Sequence, residues 1–296
     1  MRMIPMTENL NENDNSRCWA AFWEKTTQTG NKKGPLTPAF WNHMAHRYAR
    51  DTPQEKEEAR LKRILDLIIS TGIDIKGSQV LDIGAGTGSL SIPLAHMGAH
   101  VTALDFSDEM LKKLNKRADE ENVTIQTILK SWDTINPDEE GFRKKFDLVI
   151  ASMTPAVRNP HDLSLMLETA KGICYYSGWV HRKWDPSYYD LYKTLFHEEF
   201  KESPHGFYLP FMYLYLLGYR PEVSLLEDDW SNYETIDEYI ETAAGFFSTT
   251  RQIDDQMKDR IREYITPHAQ DGKYLARSQV ITGMMVWDVR EQNTKP

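Results

Sequence analysis

An α/β fold, a doubly wound and mostly parallel sheet of seven strands, is predicted by three observations. Short apolar segments alternate with amphipathic helical ones from residue 79 onward, and that alternation implies parallel strands with helices on both faces. Glycine occupies every second position, at Gly84, Gly86 and Gly88, between the first strand and its helix. The following strand ends on an acid, Asp105. Sheets of this kind take their ligands beyond the carboxyl ends of the strands, where both features fall.

The elements follow in order. Residues 1–16 are polar and rich in Asn and Glu, and are expected to form a disordered tail. Residues 17–296 then read as a single domain. Trp19, Phe22 and Trp23 precede a Gly/Pro stretch, and 40–50 reads as a short helix carrying Trp41, Met44 and Tyr48. Leu61, Ile64, Leu65 and Ile68, at i, i+3, i+4 and i+7, mark a second N-terminal helix that stops near Gly72. Strands are expected at 79–83, 101–104, 123–129, 146–151 and 172–177. The helix after Ser107 opens with Asp108 and Glu109, acids that suit a helix N-terminus.

Beyond the fifth strand the alternation breaks. Helices are expected at 186–200 and 210–217, with a sixth strand at 222–226. Two more helices carry Ile236, Tyr239, Ile240 and Ala243, then Ile253, Met257, Ile261 and Tyr264; the last strand is 279–289. The helical insertion, about 181–220 and 230–270, reads as a lid. The chain has 14 Tyr, 11 Phe and 8 Trp. Among these, Tyr188, Tyr189, Tyr192, Phe207, Tyr208, Phe211, Tyr213, Phe246 and Phe247 fit three roles: the roof of a pocket for a flat small molecule, a core between the added helices, or a homodimer interface.

Composition narrows the function. The 296 residues are 40% hydrophobic and 27% charged, ordinary for a soluble domain. No apolar run approaches the roughly 20 residues of a membrane span, and no secretory pattern opens the chain. The net charge of −9 argues against a nucleic-acid partner. Lys112, Lys113, Lys116 and Arg117 read as the solvated face of one helix. Cys18 and Cys174 are too few for a disulfide framework, and His43 with His46 lacks a third ligand, so no metal is expected. A cytoplasmic protein acting on a small molecule, with no membrane partner, is the expectation.

The segment Val80-Leu81-Asp82-Ile83-Gly84-Ala85-Gly86-Thr87-Gly88-Ser89-Leu90 is the most specific feature. A dinucleotide site wants G-x-G-x-x-G, but here Ser89 stands where the third glycine would be. Asp82, just before the loop, would repel a pyrophosphate and suits the ammonium of a methionine moiety. Asp105 can accept two hydrogen bonds from a ribose diol.

Over about residues 77–177, this pattern resembles the class I S-adenosylmethionine-dependent methyltransferases. The resemblance implies a Rossmann-like sheet, S-adenosyl-L-methionine as cofactor and S-adenosyl-L-homocysteine as product. It implies that Asp82, Gly84, Ala85, Gly86 and Gly88 pack against the methionine and ribose portions, and that Asp105 binds the ribose hydroxyls. Phe106 is placed like the apolar residue against adenine, and Trp132-Asp133 like the site that meets the adenine amino group. Ser152 falls where the fourth strand opens onto the active site, and Tyr48 resembles an N-terminal aromatic that closes over the cofactor. Phe106 and Trp132 also fit core aromatics, and Asp133 also fits a turn cap before Pro137.

The acceptor is less legible. Ser152-Met153-Thr154-Pro155-Ala156-Val157 replaces the Asn/Asp-Pro-Pro-aromatic run that amide and exocyclic-amine methyltransferases carry. Methyl transfer is an in-line displacement, so alignment and exclusion of water carry most of the catalysis. A general base is expected where the acceptor loses a proton, and His181 is the candidate, although a surface histidine in a polar turn fits as well. The leading expectation is a methyltransferase for a small-molecule O, N or C nucleophile. Alternatives are a protein methyltransferase and a non-catalytic S-adenosylmethionine-binding scaffold.

Overall fold

The computed structural model describes residues 12–27, 36–45, 54–200, 206–248 and 251–290. The strands, in chain order, are β1 (Gln79–Ile83), β2 (His100–Asp105), β3 (Ile125–Leu129), β4 (Phe146–Ser152), β5 (Ala170–Lys183), β6 (Glu222–Asp229), β7 (Asn232–Thr235), β8 (Lys273–Ala276) and β9 (Gln279–Asp288). Seven of them form one sheet in the order β3-β2-β1-β4-β5-β9-β6, and β7 pairs with β8 in a separate ribbon. β1 to β5 run parallel, while β9 inserts antiparallel to both β5 and β6. This is the mostly parallel seven-stranded sheet that the alternation predicts.

The helices are α1 (Glu12–Thr27), α2 (Pro38–Met44), α3 (Gln54–Ser70), α4 (Ser91–His96), α5 (Asp108–Glu120), α6 (Pro160–Thr169), α7 (Pro186–Phe196), α8 (Tyr208–Leu216), α9 (Ile236–Phe247) and α10 (Asp255–Ile265). Successive side chains of a strand point to opposite faces, and the cores follow that period. Leu81, Val149, Cys174 and Tyr176 face one way, onto Trp23 of α1, Met166 of α6 and Leu214 of α8. Val80, Leu148, Ile173 and Tyr175 face the other way, onto Ile64 and Ile68 of α3 and Leu94 of α4. A third core lies apart from the sheet. There Tyr188, Leu191 and Tyr192 of α7 pack on Tyr239, Ala243 and Phe247 of α9 and on Ile261 and Ile265 of α10.

Several expectations change. α1 begins at Glu12, inside the stretch read as a tail; Trp19 anchors it by donating from Nε1 to the Leu209 carbonyl at 3.0 Å. α6 went unread, yet its start is marked. Asn159 caps it by accepting from the Asp162 amide at 2.9 Å, and Pro160 takes its first turn. β5 does not stop at Ser177 but runs through Gly178 to Lys183. The glycine is there for space, since a Cβ would sit 2.9 Å from the Tyr176 hydroxyl. α8, expected in the lid, packs on the main sheet through Leu209 and Leu214. The helix expected at 40–50 is described only as α2, and both His46 and Tyr48 lie outside the described residues.

Candidate active site

One continuous cavity of about 1460 Å³ opens at the carboxyl ends of β1 to β4 and continues along the second half of β5 beneath α7 and α9. A pocket for one drug-sized ligand takes roughly 300–1,000 Å³, so this space exceeds the need of a single small molecule.

The glycine loop forms its first wall. Gly84 and Ala85 both donate their amides to the Leu104 carbonyl, at 2.7 and 3.1 Å, which draws the loop over β2. Gly84 has φ +68°, and a Cβ there would lie 2.0 Å from Thr154 Oγ1. It is glycine because the loop after β4 crosses against it. Gly86, at φ +55°, has nothing within 4 Å of where a Cβ would stand and lines the cavity. Gly88 instead backs onto Leu114 and Ile92. Of the glycines assigned to the cofactor, then, Gly84 and Gly86 reach the cavity with Ala85, and Gly88 serves packing.

Asp105 ends β2 on the same wall, 6% exposed. Its Oδ2 accepts the Gly86 amide at 2.9 Å and its Oδ1 the Ser107 amide at 2.8 Å. Burial raises its pKa, opposed by the amides of Ser107, Gly86 and Phe106. The carboxylate keeps acceptor capacity for a ligand beyond these amides. Asp82 departs from expectation. It is 3% exposed, accepts from Ser91 Oγ at 2.7 Å and does not line the cavity. Burial, with Asp105 adding repulsion, raises its pKa to about 6. Its β1 position turns it toward the α4 side of the sheet, so it braces the loop from behind.

Phe106, Trp132, Asp133 and Ser152 all reach the cavity. Trp132 is also a core aromatic, 2% exposed, whose Nε1 donates to the Asp162 carbonyl at 2.9 Å. Asp133 sits in a 3-10 turn, Trp132–Thr134, and pairs with Arg158 Nη2 at 3.2 Å. Ser152 Oγ lies 3.1 Å from Ser177 Oγ. α2 covers this end of the cavity with Phe40, Trp41 and Met44. Asn42 holds it there, accepting from Ser107 Oγ at 2.6 Å and donating to Asp108 Oδ1 at 2.8 Å.

His181 lies on the cavity wall, as expected, but on β5 rather than in a turn, just past the register shift that separates Trp179 from His181. The lid supplies the far wall. Tyr188 and Phe246 reach the cavity, whereas Tyr192 and Phe247 are spent on the lid core. Phe207 and Phe211 stack on the sheet side, at 6.0 Å and 12°. Asp185 caps α7 through the Ser187 amide at 2.9 Å, and also accepts from Tyr274 Oη at 2.6 Å and the Arg277 amide at 2.8 Å. That one carboxylate ties β8 to the start of the lid.

Sequence reasoning missed Thr154, Arg60, Trp179, Arg182, Trp184 and Trp230, all on the cavity wall. Trp179 meets Trp230 edge-on at 4.9 Å, and Trp184 lies 4.3 Å from Phe246. The Arg182 guanidinium carbon sits 3.6 Å from the Trp184 ring centre and 5.4 Å from that of Trp179. Burial lowers its pKa to about 10. The signal for these residues was the aromatic and basic run from Trp179 to Trp184, hidden because the strand was ended at Ser177.

The sequence model of the family described as "Methyltransferase domain" matches residues 80–176, from the core of β1 to the middle of β5. Curated relatives match over similar lengths. A ubiquinone biosynthesis O-methyltransferase of Shewanella pealeana is 34% identical over 135 residues, 45% of this chain and 56% of that protein. An uncharacterized protein of Mycobacterium tuberculosis is 34% identical over 88 residues, 29% of this chain and 30% of that one. This chain thus spans less than two thirds of the length of either relative. Among solved structures, magnesium protoporphyrin IX methyltransferase from Synechocystis PCC 6803 is similar at 14% identity, covering 92% of this chain and 98% of that one, with a TM-score of 0.44. No helix among the described residues is long and apolar enough to cross a membrane.

Proposed function

We propose that the chain is an S-adenosylmethionine-dependent methyltransferase acting on a small-molecule acceptor at an oxygen, nitrogen or carbon atom. The observation that carries this reading is the one continuous cavity joining the glycine loop and Asp105 to an aromatic-lined compartment beneath the lid. The cofactor end fits the group. Gly86 leaves open space where any side chain would intrude, and Asp105 presents a buried carboxylate with unused lone pairs beside it.

Bound there, S-adenosylmethionine supplies an electrophilic methyl whose bond to the acceptor forms as the carbon–sulfur bond breaks, leaving S-adenosylhomocysteine. Asp105 would accept the ribose hydroxyls, Phe106 would offer an apolar face to the adenine, and Asp133 would accept its amino group. Tyr188, Phe246 and the Trp179–Trp230 pair exclude water and hold the acceptor in line, the main demand of such a displacement. Where the acceptor gives up a proton, His181, the one histidine on the cavity wall among the described residues, is the group to receive it. The enclosing lid favours a small molecule over an exposed protein side chain. The relatives named as O-methyltransferases are in keeping with an oxygen nucleophile.

The test is a calorimetric titration with S-adenosylmethionine and S-adenosylhomocysteine. Incubation with a cell extract and methyl-labelled S-adenosylmethionine follows. Saturable binding, with label entering the low-mass fraction, supports the proposal. Absence of binding overturns it, as does label confined to protein or nucleic acid.

A further inference from the structure

We propose that Arg182 is the specificity determinant for an acceptor bearing a carboxylate, which its guanidinium engages at the lid end of the cavity. The inference deepens the proposed function and rests on it.

Arg182 is partly withdrawn from water, and a guanidinium so placed ordinarily has a carboxylate partner, because desolvating an unpaired charge is costly. Arg182 lines the cavity, and its Nε donates to Ser278 Oγ at 3.0 Å. No ion pair joins it to an Asp or Glu among the described residues. Two acids of the neighbouring segments are engaged elsewhere: Asp185 with Ser187, Tyr274 and Arg277, and Asp228 with Trp230 Nε1 at 2.9 Å; Glu234 acts on the shared neighbour Tyr188 without an ion pair to Arg182. Its other neighbours are aromatic faces, Trp184 at 3.6 Å, Trp179 at 5.4 Å and Trp230 at 6.0 Å. Cation–π contact offsets part of the desolvation and leaves most of the five N–H donors of a guanidinium unused.

The other cations on the wall are differently placed. Lys130 pairs with Glu140, Arg158 with Asp133 at 3.2 Å, and Lys258 with Glu241 at 2.8 Å. Arg60 stands on α3, where its field acts on Tyr175.

Register separates Arg182 from the cofactor end. Asp82 pairs with Ile150, and Ser152 with Ser177, so the glycine loop starts level with Ser177. Arg182 lies five residues further along β5, roughly 16 Å of extended strand. The planar fork matches a carboxylate in two parallel hydrogen bonds, and the flanking indoles suit a flat, conjugated acid.

Three tryptophans around the guanidinium make fluorescence the readout. The full chain is titrated with 4-hydroxybenzoate and 4-hydroxycinnamate, and with the amide of each, both with and without S-adenosylhomocysteine. Each acid is expected to bind about tenfold or more tightly than its amide. Arg182→Gln is expected to erase that preference while leaving S-adenosylhomocysteine affinity within about twofold, and Arg182→Lys to restore part of it. Equal affinity of acid and amide in the wild type overturns the proposal, as does failure of both acids to bind. Loss of S-adenosylhomocysteine binding on Arg182→Gln would assign the guanidinium to the cofactor's own carboxylate and also overturn it. Failure of the wild type to bind S-adenosylhomocysteine counts against the function instead, and the acid-against-amide comparison is still read without it.

Discussion

The Gly86 amide donates to the Asp105 carboxylate across 2.9 Å, which makes the loop after β1 and the tip of β2 one preassembled unit. The acid shapes the loop and also faces the cavity beside it. Asp105→Ala is therefore expected to act twice. Loss of charge-assisted bonds to a ribose should weaken S-adenosylhomocysteine by about 2–3 kcal/mol, or roughly 30–150-fold. Calorimetry reads the affinity, and a lower melting temperature reports the loosened loop.

Gly84 and Gly86 separate stability from binding. A methyl on Gly84 collides with Thr154, so Gly84→Ala should cost about 2–4 kcal/mol through overpacking and a left-handed backbone. Gly86→Ala meets no atom and should cost only about 1–2 kcal/mol of conformational strain, while its methyl intrudes on the cofactor space. Denaturant melts and ligand titrations on the pair should rank the two variants in opposite orders.

Asp82 gives the pH dependence a sign. Its folded pKa of about 6 exceeds the ordinary 3.8, so the folded state binds this proton more tightly than the unfolded chain. Its contribution is most favourable below pH 4 and is lost as pH rises through about 6; the loss is about 3 kcal/mol at 1.36 kcal/mol per pH unit. Asp82→Asn keeps an acceptor for Ser91 and removes the ionisation. It should flatten the stability profile between pH 4 and 6 and be at least as stable as wild type at pH 7, measured by urea melts across that range.

Asp185 is predicted to govern the lid alone. Asp185→Ala orphans the buried Ser187 amide and the partly buried donors of Tyr274 and Arg277, at about 1–3 kcal/mol for the buried one and less for the others. Hydrogen exchange should quicken across residues 184–196 and 273–278, with S-adenosylhomocysteine affinity unchanged.

The parts of the fold legible in sequence are those where local pattern and tertiary role coincide. β1 was read to the residue because a strand buried on both faces is apolar throughout, and Ser107 caps α5 by its own side chain, accepting the Met110 amide at 3.2 Å. The losses came where distant partners decide. Gly178 looks like a strand end until Tyr176 is seen to occupy the space of its missing side chain. Nothing local to Asp82 announces that Ser91, nine residues on, donates to it from α4. β7 and β8 are four residues each, and they pair across a separation that local periodicity does not carry. The glycine loop was visible because one continuous segment makes it, whereas Arg182 and its tryptophans come from two stretches of chain, 179–184 and Trp230.

Lys183, Gln279 and Asp229 stand side by side on one rung of the sheet, Gln279 pairing with both neighbours. The chain leaves for α7 after the first, departs again after the third and comes home at the second. Everything that encloses the far compartment between residues 184 and 196 and between 230 and 278 is thus sewn to the scaffold along a single seam. A module attached this way can be lengthened, exchanged or reshaped by evolution or by an engineer without unpicking β1 to β4, leaving donor chemistry constant while the clientele changes.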